Sequence, residues 1–94
     1  MLMIIGVPKE IKNNEYRVAL TPGGAGQLAK AGHRIIVEQG AGEGSGFADA
    51  DYEQEGAVVA SSADEVWSTA EMIMKVKEPL PEEFRLFQAH QLLF

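Results

Sequence analysis

Apolar positions along the chain fall into short unbroken runs. Between the runs lie stretches in which apolar residues return every three or four positions. Met3-Ile4-Ile5-Gly6-Val7 is continuous, rich in β-branched residues and stopped by Pro8, the pattern of a buried strand. The polar stretch 9–17 has no period of 2 or 3.6 and reads as a long loop, and long loops inside compact domains lean functional. Thr21 is a good N-cap and Pro22 suits the first helical position, where its missing N–H would have no partner anyway. Ala25, Leu28 and Ala29 supply the apolar stripe of that helix, and Gly32 stands where a left-handed residue ends it. Arg34-Ile35-Ile36-Val37-Glu38 is a second strand.

A glycine-rich loop follows, with Gly40, Gly42, Gly44 and Gly46. The sequence then predicts a short helix over 50–55 capped by Asp49 and closed by Gly56. Ala57-Val58-Val59 is a third strand. Ser61 or Ser62 caps a helix carrying Ala63, Val66, Trp67 and Ala70 on one face, with Trp67 expected in the core. Met72-Ile73-Met74-Lys75-Val76 is a fourth strand. Pro81-Glu82-Glu83 looks like a first helical turn, its acids suited to the positive end of the helix dipole. Gln91-Leu92-Leu93-Phe94 begins a fifth strand. Continuous apolar strands alternating with helices indicate an α/β fold, a parallel sheet with helices on both faces, flavodoxin/Rossmann-like in layout. An apolar strand begun at the last residues leads us to expect a segment of a longer protein.

Length and charge narrow the function. Ninety-four residues make one domain at most. Fourteen acids against eight bases give a net charge of -6, which argues against a nucleic-acid partner, since that needs a basic face for phosphates. Without cysteine, disulfides, thiolate catalysis and Cys-ligated metal sites are excluded. No apolar run approaches the roughly 18–20 residues of a membrane span, and the start lacks a signal peptide's basic n-region; the cytoplasm is the expected location.

Several motifs invite chemistry and do not support it. The glycines at 40, 42, 44 and 46 do not match G-x-G-x-x-G, and Glu43 among them would repel a pyrophosphate; the loop reads as structural. Asp49, Asp51, Glu53 and Glu55 resemble half a calcium loop, but Gln54 and Ala60 occupy the places that need glycine and a bidentate glutamate. His33 and His90 are isolated and expected to be exposed. Three cations carry more. Arg17 offers a planar fork that matches a carboxylate. Lys75 and Lys77 flank Val76 at the end of the fourth strand, on one face by strand alternation, and ligands of parallel sheets bind beyond the carboxyl ends of the strands. Spacing alone favours ordinary surface charges; taken together, these residues describe a possible site for a small carboxylic acid.

The residues themselves resemble a family. Gly6-Val7-Pro8-Lys9-Glu10, Asn13-Asn14-Glu15, Arg17-Val18-Ala19-Leu20-Thr21-Pro22, the loop from Gly40 to Phe47, and Lys75-Val76-Lys77-Glu78-Pro79-Leu80-Pro81 are similar to the opening of alanine dehydrogenase. The transhydrogenase α subunit shares the Arg-Val-Ala and Thr-Pro core and is less similar elsewhere. The resemblance implies NAD-dependent, reversible oxidative deamination of L-alanine to pyruvate and ammonia, in a protein several times longer and commonly hexameric. Residues 1–94 would be the first, incomplete part of its substrate domain, and the NAD-binding Rossmann domain would lie outside them. Matched by position, Arg17 corresponds to the arginine that grips the substrate carboxylate. Lys77 corresponds to the lysine that contacts carboxylate and carbonyl oxygen. Lys75 takes a supporting role and Glu15 a weaker one in orienting Arg17. The family's catalytic histidine would fall just past Phe94, and His90 stands where the family usually has a turn glycine. The implied expectation for this segment alone is no bound cofactor and no turnover. A transhydrogenase segment and a non-enzymatic oligomerising or keto-acid-binding module are the competing readings.

Overall fold

Short β-branched runs at Ile4–Val7 (β1), Arg34–Glu38 (β2), Val58–Ala60 (β3), Met72–Ile73 (β4) and Leu92–Leu93 (β5) pair into one five-stranded sheet, parallel throughout, in the order β3-β2-β1-β4-β5. The computed structural model describes residues 2–11, 17–77, 81–88 and 91–94. The helices are Pro22–Lys30 (α1), Asp49–Gln54 (α2) and Ala63–Thr69 (α3), with 3₁₀ turns at Glu43–Ser45 and Pro81–Leu86. The first two crossovers step outward from β1 to β3. The third returns across the sheet to set β4 on the other side of β1. This is the order of the first five strands of the doubly wound dinucleotide fold, and it reverses between β1 and β4, the position beyond whose strand ends such sheets bind ligands.

Strand alternation divides the core into two layers. Ile5, Val7, Ile35 and Val37 face α1 and α2, packed with Ala25 and Tyr52. Ile36 and Ile73 face α3 and the second 3₁₀ turn, packed with Val66, Trp67, Ala70 and Leu86. Helices therefore cover both faces, as the unbroken apolar strands predict. Trp67 is fully buried, with the Phe87 ring edge-on at 4.9 Å between centroids. The approach of α3 to β1 depends on a missing side chain. A Cβ on Gly6 would lie 2.7 Å from Ala70 Cβ and 2.8 Å from Val66 Cγ1.

Helix starts follow local chemistry. Thr21 Oγ1 accepts from Gly24 N and Ser62 Oγ from Glu65 N, satisfying N–H groups that have no partner inside the helix. Gly32 follows α1 with φ +100°. Asp49 is not the cap of α2. The helix begins at that residue, its carboxylate accepts from Gly40 N at 2.9 Å, and Asp51 instead accepts from Ala48 N. The third strand lies one residue later than its apolar run suggests. The fourth ends at Ile73, so Lys75 and Lys77 sit on the loop beyond it and strand alternation does not govern them. The turn at 81–86 is 3₁₀, not α. His33, expected to be exposed, is partly buried, with Nδ1 enclosed. Residues 12–16 of the long loop, and His90, lie outside the described residues.

On the far edge, β5 is joined to the rest by Phe94 N donating to Ile73 O and by Gln91 Nε2 donating to Trp67 O and Ala70 O. Leu92, Leu93, Phe94 and Phe84 remain exposed there.

Candidate substrate crevice at the strand reversal

The strands on either side of the reversal deliver their next residues to one place. Beyond Val7, Pro8 turns the chain and Glu10 swings across toward the end of β4. The backbone ladder between β1 and β4 gives out at Met74, whose N–H donates to Gly6 O at 2.9 Å. A side chain takes over from there. Glu10 Oε2 accepts from Val76 N at 2.9 Å, and Glu10 Oε1 accepts from Lys77 N at 3.3 Å and from Lys75 Nζ at 3.2 Å. Glu83, reaching back from the 3₁₀ turn, brings Oε2 to 3.3 Å from the same ammonium. The side chains of Glu10 and Lys75 are each 3% exposed and that of Glu83 is 5% exposed.

Removing three ions from water is expensive, and mutual attraction offsets that cost only where the hydrogen-bond geometry is good. Lys75 meets the condition with two carboxylates, and Glu10 meets it with one ammonium and two backbone N–H groups. Glu38, at the end of β2, borders this cluster. Its Oε1 accepts from Lys9 N at 2.8 Å. Burial raises the Glu38 carboxyl above its ordinary value. The Lys9 N–H and charge pull it back down, as does Lys75, while Glu83 adds to the rise. Against Gly42 of the glycine loop, the Tyr52 hydroxyl donates to Leu20 O at 2.7 Å. Burial, with the nearby Asp49 and Asp51 charges, pushes its phenol up to about 12.

Arg17 is exposed and lines a pocket of about 410 Å³ with Lys9, Glu10, Gly40, Ala41, Glu43 and Gly44. Lys77 lines a second opening of about 240 Å³ with Lys75, Val76, Leu93 and Phe94. The two cations singled out by sequence thus border different openings, and Glu10 links them, lining the first and bonding the backbone of the second. Lys75 is the buried partner of two acids. Glu15 lies outside the described residues. Sequence reasoning missed Glu10 and Glu83. In the sequence Glu83 reads as an acid at a helix start, and Glu10 as one polar residue in a loop without period. The available signal was an acid a few residues past the first strand and a lysine just past the fourth, in a fold that reverses between those two strands.

The glycine loop does not fit the pyrophosphate of a dinucleotide. It feeds a helix of six residues whose first turn carries Asp49 and Asp51, and Glu43 stands in the loop itself. Gly42 packs against Tyr52, where an added Cβ would come within 2.8 Å of the ring. The glycines serve loop packing. Among the described residues no group of three or more His, Asp or Glu side chains could hold a metal ion, and no helix is long and apolar enough to cross a membrane.

Comparison with known proteins agrees with the fold. Residues 6–94 match the family described as alanine dehydrogenase/PNT, N-terminal domain. The chain is 62% identical over 92 residues to the alanine dehydrogenase of Bacillus subtilis (strain 168), covering 98% of this chain and 24% of that one. It is 50% identical to the alanine dehydrogenase of Mycolicibacterium smegmatis, over 98% of this chain and 25% of that one. A solved L-alanine dehydrogenase superposes with a TM-score of 0.94 at 56% identity, covering 97% of this chain and 25% of that chain. A transhydrogenase from Sinorhizobium meliloti superposes at 0.89 and 34% identity, covering 96% of this chain and 26% of that one. The chain spans about a quarter of the length of these relatives. By the match along nearly its whole length, it belongs to the alanine dehydrogenase/PNT N-terminal domain family.

Proposed function

We propose that residues 1–94 form the N-terminal part of the substrate domain of an NAD-dependent alanine dehydrogenase. The whole protein would interconvert L-alanine with pyruvate and ammonia in the cytoplasm, as a homo-oligomer. In this reading Arg17 holds the substrate carboxylate through its two-pronged guanidinium. Lys77 contacts the carboxylate and the carbonyl oxygen, where an ammonium favours negative charge. Fixing both ends of a small keto acid presents its carbon in one orientation, and such positioning is a large share of what a binding domain contributes to rate. The dinucleotide and the proton-transferring group belong to parts of the protein outside these residues, so the chain alone turns nothing over.

The observation that supports this most is the concentration of charge at the strand reversal. Glu10 lines the Arg17 pocket and also bonds the backbone of the loop that carries Lys77. Relatives 50% and 62% identical that bear the alanine dehydrogenase name favour this reaction. The transhydrogenase reading rests on the more distant 34% match.

Titration of the 94-residue chain with pyruvate, followed by backbone amide shifts, tests the reading. Arg17, Val76 and Lys77 are expected to respond together. Arg17→Ala and Lys77→Ala should each weaken the response about tenfold, the loss of one charged hydrogen-bonding partner. Unchanged affinity in both variants would sink the assignment. A coupled assay should find no alanine-dependent NADH formation by the chain alone, and turnover there would contradict the division of labour.

A further inference from the structure

We infer that Glu10 is a positioning residue for Lys77, extending by a side chain the connection between β1 and β4 that the backbone abandons. This rests on the reading of Lys77 as the lysine that meets substrate. β4 is two residues long, and its last bond to β1 is Met74 N to Gly6 O. Pro8 then turns β1 away, and no strand of β1 accompanies residues 75–77. The N–H groups of Val76 and Lys77 point instead at the two oxygens of one carboxylate, at 2.9 and 3.3 Å. A carboxylate that accepts successive N–H groups fixes the peptide planes between them, much as a nest of amides fixes an anion.

Lys75 completes the arrangement. Its ammonium lies 3.2 Å from Glu10 Oε1 and 3.3 Å from Glu83 Oε2 with almost no solvent contact. It neutralises Glu10 and holds its oxygens in place while they serve the backbone. Lysines 75 and 77 therefore have different tasks despite their near-identical sequence setting. The first orients the acid, the acid orients the peptide, and the peptide aims the second. Glu10 also lines the pocket that Arg17 lines, so its placement bears on both cations.

The test is amide exchange and pyruvate affinity on the 94-residue chain, in wild type, Glu10→Gln, Glu10→Asp and Glu83→Gln. Glutamine keeps the length and loses the charge. Aspartate keeps the charge and falls short by one methylene. Glu83→Gln takes the second acid from Lys75 and leaves the Glu10 bonds to Val76 and Lys77 in place. In both Glu10 variants the Val76 and Lys77 amides should exchange about tenfold faster and pyruvate should bind about tenfold more weakly. The Ile5 and Ile36 amides should keep their protection. In Glu83→Gln the two loop amides and the affinity should stay within about twofold of wild type. A purely structural role would lower protection throughout the sheet in both Glu10 variants, and that result would overturn the inference. So would wild-type protection at Val76 and Lys77 in both. Absence of any pyruvate response in wild type would count against the proposed function alone, because exchange at the two amides needs no ligand.

Discussion

The β2–β1 side of the sheet and the β4–β5 side are held by different means. Between β1 and β2 four consecutive residues pair, Ile4 to Arg34 through Val7 to Val37, and the alternate residues drop into two apolar layers. Between β4 and its neighbours only two residues pair on each side. Carboxylates, an ammonium and a glutamine side chain supply what the short ladders lack. Apolar packing is non-directional and tolerates small shifts, whereas hydrogen-bonded ions specify position and are costly when left unpaired. The side built from ions carries Lys77 and the smaller opening, while the Arg17 pocket is lined by the loops that follow β1 and β2.

Three substitutions probe this contrast. Lys75→Met should have the largest effect, because it leaves two buried carboxylates facing each other without their shared cation. A loss of about 3–5 kcal/mol is expected for breaking a buried pair, a large part of the roughly 5–15 kcal/mol typical of a domain. Urea denaturation measures it, and a loss under about 1 kcal/mol would mean the β4 side does not depend on its ions. Tyr52→Phe probes the other side. It removes the donor to the buried Leu20 carbonyl and should cost about 1–3 kcal/mol, read in the same way. A cost above that of Lys75→Met would reverse the ranking of the two sides.

Glu38→Gln should have the smallest effect and a distinctive pH dependence. Burial raises the Glu38 carboxyl above 4.5, so the folded chain holds that proton more tightly than the unfolded chain does. Stability therefore falls as pH rises from near 4.5 through the raised folded value. Glutamine retains an oxygen for Lys9 N and has no proton to lose. The variant should equal or exceed wild type at neutral pH, with its advantage shrinking on acidification through that window. An advantage independent of pH would mean that Glu38 ionisation carries no penalty.

The layered fold was legible because its signals are local. Ile35, Ile36 and Val37 announce a strand buried on both faces, and Thr21-Pro22 and Ser62 announce helix starts. The sequence announces the short helix at Asp49 but not its cap, because an acid there can bond forward to its own helix or back to Gly40, and only tertiary contact selects the second. Arg17 and the two lysines stood out as cations in confined settings. What separates Lys75 from Lys77 was not readable from spacing. It depends on Glu10 and Glu83, 65 residues before and 8 after Lys75 in the chain, which the crossovers bring to one ammonium. The length of β4 was overestimated for a related reason. Met74, Lys75 and Val76 have strand-like composition, but Pro8 has removed the neighbour they would pair with.

The enclosed indole of α3 has a spectroscopic consequence. Trp67 is the chain's single tryptophan, with no exposed surface and a phenyl edge against its ring. Its emission should therefore be blue-shifted and uniform, and excitation at the red edge of the ultraviolet band selects it over both tyrosines. The face of the sheet that α3 covers thus carries its own optical label, sensitive to water reaching that layer.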